Sequence, residues 1–585
     1  MTTTIPAGSP QFPTVGGKIA PSSHESMDAS IKVLVAQKQA WTQTSLDTRI
    51  AIIDALIADF ATIAPRWIAA SAQAKGIAEN SPIVSEEWAN AAWPILLNLR
   101  QLRQVLSDIK KNGHPHIPGP VHTRPDGQVT AQVFPFRAYD RLLFSGVTAD
   151  VWMQPGVTAE NLSSTQAITY QSQPQPQEGK VILVLGAGNI ASIGPMDLLY
   201  KLFVSNQVVL LKPNMVNAYL GPLIEESFQA LITPGYLRVV YGGAEEGSYL
   251  CQHADIDEIH ITGSDKTFDS ILFGPGKQGL EKKAARQPIL TKRLTGELGN
   301  VSPLIIVPGP WSQKDIAFQA EQIVSSLANN AGFNCNATRV IIQHKGWSQR
   351  QTLLQHIRQI FSQLPARSAY YPGAKERQQS FLAAHPDAEC FGSQEDGRLP
   401  WTFIPDVDAT HNDDICFTTE AFCSLCAETA LDADSVVDYI EKAVTFANER
   451  LWGTLNITLI VHPTSLKNPA IAAAIEQAMA KLRYGTIGLN YWAGTGYALA
   501  CIPWGAFPGN TIYDIQSGND VVHNSLMFSK AQKSVIRAPF RSPLTPPWFV
   551  SQTKIALPLF KKLTYFEKAP SWLKLVSIIK TALAG

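Results

Sequence analysis

Residues 292–342 read KRLTGELGNVSPLIIVPGPWSQKDIAFQAEQIVSSLANNAGFNCNATRVII. The apolar run 303–307 predicts a buried strand, and the amphipathic stretch 315–329 predicts a helix. Residues 339–343 predict a second strand. A strand, a helix and a strand in this order are typical of an α/β fold with a parallel sheet.

Two chemically reactive residues lie beside these elements. Glu297 is predicted on a short polar turn closed by Gly299, and Cys335 lies on a Gly-Phe-Asn-Cys turn before the second strand. A thiol can attack a carbonyl carbon, and a carboxylate from another loop can then activate water. Taken alone, an unpaired cysteine is more often an inert buried residue. A lone glutamate after glycine is more often a solvated loop residue or a helix cap.

The sequence around both residues resembles the aldehyde dehydrogenase superfamily. Its members carry a Glu-Leu-Gly motif and, further along, a Gly-x-x-Cys motif, here residues 297–299 and 332–335. A Thr-Arg-Val run at 338–340 is similar to a run in the family. The resemblance implies an α/β fold with a Rossmann-type cofactor domain, a second α/β catalytic domain and an oligomerisation hairpin.

Composition sets broad limits on this 585-residue chain. The formal net charge is zero, which gives no indication of nucleic-acid binding. Charged residues make up 16%, against a typical value of about 25%, which suggests extensive buried surface, including subunit contacts. No apolar run reaches the length of a membrane-spanning helix.

Seven cysteines, an odd number, are scattered along the chain, which argues against a disulfide framework and for a reducing compartment. The Cys423/Cys426 pair has no second pair at zinc spacing, so no metal site is predicted. The first 17 residues lack the basic and apolar regions of a secretory signal. We therefore expect a cytoplasmic protein.

The N-terminal part of the sequence predicts three successive kinds of structure. Residues 1–25 are rich in Pro, Gly and Ser and predict a flexible arm, and helical spacing follows to about residue 111. Residues 112–175 predict strands and hairpins, and the family resemblance implies that hairpins at about 125–175 build a subunit interface. The run QSQPQPQE at 171–178 predicts a surface linker.

A predicted strand, 181–185, is followed by Gly-Ala-Gly-Asn-Ile-Ala, a pattern that also matches a dinucleotide fingerprint. That fingerprint expects an acidic residue after the next strand, but this strand ends in Lys212. The resemblance explains the pattern better: Asn189 takes the place of an oxyanion-holding Asn, and Lys212 that of a Lys that binds the adenosine ribose. Without the resemblance, Asn189 would be a helix N-cap and Lys212 a solvated strand end.

Other expected cofactor contacts come from two further loops. Gly263 and Ser264 belong to a Thr-Gly-Ser turn that opens a helix, where backbone N–H groups suit a pyrophosphate. Glu420 and Phe422 resemble the family's Glu-x-Phe, which implies that the Glu holds the nicotinamide ribose. The chain departs from the family at Phe268, where a glycine is usual, and at Met215, where a ribose-binding Glu often stands, so NAD and NADP both stay open.

The predicted domains combine these elements. They are a cofactor-binding domain at 26–299, a catalytic domain at 300–485, a return segment at 486–527 and a C-terminal extension at 528–585. Residues 368–405 are predicted to be irregular with an insertion. Three aromatic residues of the return segment are candidates for a substrate tunnel or for core packing, namely Trp492, Tyr497 and Trp504.

The extension at 528–585 carries ten Lys or Arg and one acidic residue, Glu567, with apolar residues interleaved. Residues 571–584 predict an amphipathic helix, which could lie on an anionic membrane as a peripheral contact. The alternative is a tail that packs across the protein's own surface or a partner subunit.

The resemblance implies NAD- or NADP-dependent oxidation of an aldehyde to a carboxylic acid by a homodimer or homotetramer. Cys335 would form a thiohemiacetal and then a thioester, Asn189 would hold the oxyanion, and Glu297 would activate water. Two alternatives stay open. One is a CoA-acylating dehydrogenase or acyl reductase of the same fold, and the other is a catalytically silent binding or scaffold protein.

Overall fold

The computed structural model of the chain describes residues 15, 17, 19–171, 177–394 and 397–584. Most of the predicted N-terminal arm and the centre of the Pro/Gln linker, 172–176, lie outside these residues. All seven cysteines are described, and each is a free thiol.

The α-helices of the described residues are α1 (His24–Thr42), α2 (Leu46–Ala74), α3 (Val84–Glu87), α4 (Trp93–Asn112), α5 (Ala138–Leu143), α6 (Ile193–Leu199), α7 (Gly221–Ser227), α8 (Gln229–Ile232), α9 (Ala244–Gln252), α10 (Asp265–Phe273), α11 (Gly276–Ala284), α12 (Gln313–Ala328), α13 (Arg350–Gln363), α14 (Ala374–Ala384), α15 (Ile415–Thr418), α16 (Val436–Arg450), α17 (Pro469–Lys481), α18 (Thr495–Leu499), α19 (Ala556–Lys568) and α20 (Trp572–Ala582).

The strands of the described residues are β1 (Val121–Thr123), β2 (Val129–Phe134), β3 (Thr148–Met153), β4 (Val181–Leu185), β5 (Val208–Lys212), β6 (Leu237–Val239), β7 (Glu258–Gly263), β8 (Arg293–Leu298), β9 (Pro303–Ile306), β10 (Val340–His344), β11 (Arg367–Ser368), β12 (Glu389–Phe391), β13 (Arg398–Leu399), β14 (Trp401–Val407), β15 (Leu425–Leu431), β16 (Asn456–Ile460), β17 (Thr486–Leu489), β18 (Pro503–Gly505), β19 (Val521–His523) and β20 (Ala531–Arg537).

Five strands form the smaller sheet, in the order β6-β5-β4-β7-β8, and every pair is parallel. β4 and β5 are continuous apolar runs because helices cover both faces of such a sheet. The carboxyl ends of parallel strands meet at one edge, and ligands bind in α/β proteins at that edge. Lys212, Gly263 and Glu297 lie at or next to the carboxyl ends of β5, β7 and β8.

Eleven strands form the larger sheet, in the order β1-β2-β3-β20-β17-β16-β9-β10-β15-β14-β12. The pairs from β20 to β14 are parallel, and the pairs at both ends of the sheet are antiparallel. Two apolar clusters cover its parallel part. The chain changes from the smaller sheet to the larger between β8 and β9, beside the predicted boundary at residue 300.

The segment predicted as hairpins forms β1, β2 and β3, with the short helix α5 between β2 and β3. These strands extend the larger sheet of the same chain, because β3 pairs with β20 and β20 pairs with β17. The role of this segment in a subunit interface stays a prediction.

Two local predictions are wrong. Glu297 lies in strand β8 and not on a turn, because residues 293–298 pair in register with β7. Residues 368–405 are not irregular: they contain α14, and β14 begins at Trp401 and pairs with β15. The sequence of β14 is interrupted by Pro405, which hides its strand character.

The C-terminal extension continues as β20, α19 and α20. Helix α19 packs along α4, and the guanidinium of Arg100 donates to the carbonyl oxygens of Glu567 and Lys568 at 3.0 and 2.7 Å. Helix α20 lies within the stretch predicted as an amphipathic helix, has Ser571 as its N-cap and packs on α19. Within the described part of the chain, we find no helix with the length and apolar character needed to cross a membrane.

Candidate active site

Cys335 lies in a turn between a 3₁₀ segment, Asn329–Gly332, and strand β10. The turn is tight, since Asn330 and Ala331 both have left-handed backbone angles, with φ of 53° and 56°. The side-chain amide of Asn330 donates to the carbonyl oxygen of Phe333 and to Asn334 Oδ1 at 3.1 and 3.0 Å. Hydrogen bonds within the turn therefore stabilise its conformation. The thiol of Cys335, at the end of the turn, is half-buried.

The buried guanidinium of Arg339 holds this turn against strand β15. It donates to the carbonyl oxygens of Cys423 and Leu425 at 2.6 and 3.1 Å, and to those of Gly332 and Asn334 on the turn itself. Sequence reasoning used Arg339 only as part of a family pattern and missed this positioning role. The sequence did contain an indication of this role, because a charged residue at the start of a predicted buried strand needs hydrogen-bond partners.

Glu297 and Cys335 are brought together although they come from different sheets. The thiol donates to Glu297 Oε1 with an Sγ–Oε1 distance of 3.8 Å. The indole Nε1 of Trp504 donates to the same oxygen at 3.1 Å. The same carboxylate oxygen thus accepts from the thiol and from the indole of a residue that the sequence offered for a substrate tunnel or for core packing.

Burial controls the ionisation of both groups. Desolvation, followed by the charge of Asp197, raises the pKa of Glu297 to about 8, although the hydrogen bond from Trp504 lowers it. Desolvation and the neighbouring Glu297 raise the pKa of the Cys335 thiol well above its ordinary value. Burial also raises the pKa of Asp197 to about 7. Such shifts in a cleft are typical of functional sites.

Asn189 follows strand β4 and reaches the same turn. Its side-chain Nδ2 donates to the carbonyl oxygen of Phe333 at 2.9 Å, and its own carbonyl accepts from Asn330 and from the hydroxyl of Tyr370. An amide nitrogen carries two hydrogens, so a second donor remains beside the one given to Phe333. The residue is buried and lines the same cavities as Cys335.

A large cleft of about 1540 Å³ opens on one side of Cys335 and follows the carboxyl edge of the smaller sheet. Each residue that was predicted to bind the cofactor lines it, and these are Lys212, Gly263, Ser264, Glu420 and Phe422. Burial lowers the pKa of Lys212, whose side chain projects from the end of β5. Ser264 caps helix α10 by accepting from the backbone N–H of Thr267.

The chemistry of the cleft fits a dinucleotide. A cation, Lys212, lies at the end of β5, and the N-terminus of α10 follows β7 with backbone N–H groups suited to phosphate. At the other end, a Cβ on Gly299 would come within 2.1 Å of Glu420 Oε2, so a larger residue there would displace this carboxylate. Burial raises the pKa of Glu420 to about 7, and the backbone N–H of Asn300 donates to it at 3.3 Å.

The two departures from the family pattern have different locations. Phe268 is fully buried, and its ring lies under Gly296 of strand β8, so it fills the core and not the cleft. Met215 is 40% exposed and lines the cleft next to Gly243. Of these two residues, only Met215 can therefore contact a ligand in the cleft.

A second cavity of about 480 Å³ opens on the other side of Cys335. Asn189, Glu297 and Cys335 line both this cavity and the cleft, so the three residues stand where the two spaces meet. The aromatic residues proposed for a tunnel, Trp492 and Tyr497 as well as Trp504, also line the second cavity.

Among the described residues, one group outside this site could hold a metal ion: His385, Asp414 and Cys416. Asp414 Oδ1 already accepts from the backbone N–H of Cys416 at 2.8 Å and lies 3.1 Å from His385 Nε2. These contacts cap the short helix α15, which gives the group a structural role without an ion.

The aldehyde dehydrogenase family model matches residues 183–374, a range that contains Asn189, Lys212, Glu297 and Cys335. Over 122 residues the chain is 34% identical to the 4-trimethylaminobutyraldehyde dehydrogenase of Bos taurus, covering 21% of this chain and 22% of that protein. It is 29% identical over 185 residues to the N-succinylglutamate 5-semialdehyde dehydrogenase of Sphingopyxis alaskensis, covering 31% of this chain and 35% of that protein. The matches thus span well under two thirds of these relatives.

Solved structures are similar over most of the chain. The NADP-dependent glyceraldehyde-3-phosphate dehydrogenase of Bacillus halodurans, complexed with NADP, superimposes with a TM-score of 0.58 at 16% identity, covering 90% of this chain and 94% of that one. A mutant of aldehyde dehydrogenase C from Pseudomonas syringae, complexed with NAD⁺ and octanal, gives 0.59 at 17% identity, covering 92% and 93%. Residues 183–374 thus match the aldehyde dehydrogenase family model, and the chain as a whole shares the fold of solved aldehyde dehydrogenases.

Proposed function

We propose that the chain oxidises an aldehyde to a carboxylic acid with NAD or NADP, and that Cys335 is the nucleophile. The observation that carries this proposal is the meeting of three side chains between two cavities. The Cys335 sulfur lies 3.8 Å from Glu297 Oε1, and the Asn189 amide lines the same space.

The first step is addition of the Cys335 thiolate to the aldehyde carbon, which forms a C–S bond and leaves an oxyanion. The free hydrogen of the Asn189 amide and the backbone N–H of Cys335 donate to this oxyanion. Glu297, the carboxylate beside the sulfur, takes the thiol proton and releases it to solvent before the second step. Bound NAD or NADP supplies the acceptor for the hydride that the adduct loses.

The second step releases the acid from the thioester on Cys335. Glu297 takes a proton from water, the hydroxide attacks the thioester carbon, and the C–S bond breaks to regenerate the thiolate. Only the ionised carboxylate can act as this base. Because the pKa of Glu297 is raised to about 8, the rate of release rises as the pH rises through that value.

Three variants test these roles with a medium-chain aldehyde and each cofactor. We expect Cys335→Ala to abolish cofactor reduction and Asn189→Ala to lower kcat by ~100–1000-fold through loss of one oxyanion donor. Glu297→Gln should reduce one equivalent of cofactor per site, more slowly than the unaltered chain because the acceptor of the thiol proton is gone, and then stop because the thioester is no longer hydrolysed.

The matched control is Cys390→Ala, which removes an exposed thiol remote from both cavities and should keep the full rate. Turnover that persists in Cys335→Ala would contradict the assignment of the nucleophile. Hydrolysis at the full rate in Glu297→Gln would contradict the assignment of the base.

A further inference from the structure

The second cavity is a passage from Cys335 to the C-terminal extension. Its inner end is formed by Glu297 and the aromatic residues of the return segment. Its outer end is formed by Phe560 and Leu563 of α19, and by Ile579 and Leu583 at the end of α20. The extension is therefore part of the wall of the site and not only a tail on its surface.

The lining of this passage selects against charged ligands. The described residues that line it include no Asp, Lys, Arg or His, and their one carboxylate, Glu297, belongs to the catalytic end. The outer wall consists mainly of aliphatic, aromatic and proline side chains, as at Leu544 and Trp548, with the uncharged hydroxyls of Ser542 and Thr545. A charged group on the substrate would lose its water there without gaining a partner. An apolar chain would be stabilised by burial.

The outer opening is surrounded by exposed apolar side chains. On α20, Leu573 is 86% exposed and Trp572 and Val576 are about half exposed. Leu583, directly after the helix, is 65% exposed. Leu573, Val576 and Leu583 share one face of the helix, since they are separated by three and seven positions. Eleven large apolar side chains are exposed in the described residues. Six of them lie on α20 or in the lining of the passage, namely Leu142, Leu544, Trp572, Leu573, Val576 and Leu583. Clustered exposure of this kind marks an interaction surface.

The surface around this opening is positively charged. Helices α19 and α20 carry five lysines and one acidic residue. That residue, Glu567, is buried and accepts from Arg137 at 2.7 and 2.9 Å, so it does not offset the lysines at the surface. A helix with exposed apolar residues and only cationic side chains is complementary to an anionic lipid surface.

Resting on the proposed function, we infer that the substrates are aldehydes with a long apolar chain, which enter the passage from an anionic membrane surface on which α20 lies. The chain of the aldehyde fills the passage between α19, α20 and the Pro-rich segment 542–548, and its carbonyl reaches Cys335. The reaction itself is unchanged.

The first test measures kcat/KM for a series of straight-chain aldehydes from two carbons upward. We expect roughly a fourfold rise for each added methylene until the passage is filled. Ala582→Trp, in the wall of the passage, should remove the preference for long chains and keep the rate with short ones. Ala584→Trp, exposed two residues away and outside the wall, is the matched control.

The outcomes separate this inference from the proposed function. Equal kcat/KM for short and long aldehydes, or an unchanged profile in Ala582→Trp, would overturn the inference and leave Cys335-dependent oxidation intact. Absence of Cys335-dependent oxidation with every aldehyde would overturn both.

The second test is co-sedimentation of the full chain with vesicles. We expect binding to vesicles of phosphatidylserine and phosphatidylcholine in equal parts, and little to phosphatidylcholine alone. The double variant Leu573→Asp/Val576→Asp should weaken binding by at least about tenfold. Leu280→Asp is the control, since Leu280 is 67% exposed among the lysines of α11, far from α20 in sequence. Equal binding by the double variant, or none by the unaltered chain, would overturn membrane docking.

Discussion

The indole of Trp504 is a hydrogen-bond donor that favours the ionised form of Glu297. It is fully buried, and its Nε1 donates to the oxygen that also faces the Cys335 sulfur. A hydrogen bond to the ionised carboxylate stabilises that form and opposes the effect of desolvation. Trp504 therefore keeps part of the Glu297 population ionised near neutral pH.

We expect Trp504→Phe to move the pH midpoint of thioester release upward, because loss of the donor raises the pKa of Glu297 further. At pH 7 the release rate should fall about tenfold, the size of a hydrogen bond to a charged group. The measurement is the pH profile of the steady-state rate after the initial burst, with the size of the burst recorded separately.

The control for this variant is Trp492→Phe in the same cavity, because the Trp492 indole donates to the carbonyl of Asn336 and not to Glu297. Its pH midpoint should stay where it is in the unaltered chain. An unshifted midpoint in Trp504→Phe would show that the indole only fills space.

The central residues of the site could be predicted from sequence, but their supports could not. Cys335, Glu297 and Asn189 stand in short motifs with a fixed order along the chain. Trp504 reaches Glu297 across 207 positions, and no local pattern encodes such a contact. Asp197 lies within a helix and affects Glu297 only through the packing of α6 against the smaller sheet.

A buried ion pair joins helix α19 to the segment that precedes α5. Arg137, just before α5, donates two hydrogen bonds to Glu567 and a third to Asp140 at 3.2 Å. The carboxylates beside it raise the pKa of the guanidinium, so the arginine is charged at any accessible pH. A buried pair contributes little in net terms, but removing one partner leaves an unpaired charge in the core.

We therefore expect Arg137→Met to lower the free energy of unfolding by roughly 3 kcal/mol and to increase hydrogen exchange in α19 first. Urea denaturation and residue-level exchange measure the two effects. Adding Glu567→Leu should restore most of the loss, since the uncompensated carboxylate is then gone.

The comparison variant is Arg66→Ala, which breaks an exposed pair with Glu226 at 2.7 Å. This variant should lower the free energy of unfolding by no more than about 1 kcal/mol, as for exposed ion pairs in general. A loss in Arg137→Met no larger than this would mean that the pair does not hold α19.

The helices and strands that were predicted correctly have an apolar periodicity that is local. The amphipathic helix at 571–584 is an example, and α20 forms there. Periodicity does not name a partner, so neither the packing of α19 on α4 nor the passage between α19 and α20 could be foreseen. Strands failed where a proline interrupted the pattern, as in β14, and where a motif resembled a turn, as at Glu297.

The two sheets position different parts of the candidate active site. The smaller sheet presents the cleft that we propose for the dinucleotide, and the turn that carries Cys335 leads into the larger sheet. Glu297 ends the last strand of the first, and Cys335 precedes a central strand of the second. A change in how the sheets meet would therefore alter the Sγ–Oε1 distance directly, without any change in either residue.

We predict a homodimer or homotetramer, because only 16% of the residues are charged and the larger sheet ends at an unpaired edge of β1. Sedimentation equilibrium over a dilution series should give two or four times the chain mass of 63.8 kDa. A single species of 63.8 kDa at every concentration would contradict this prediction.

Strand β20 lies between β3 and β17, and Val151 of β3 pairs with Ser534 of β20. During synthesis, the hairpin that ends in β3 leaves the ribosome long before its neighbour exists. At ordinary elongation rates the delay is on the order of half a minute. Through that interval the growing polypeptide carries an open strand edge, so nascent chains of this protein should depend on chaperones until translation is nearly complete.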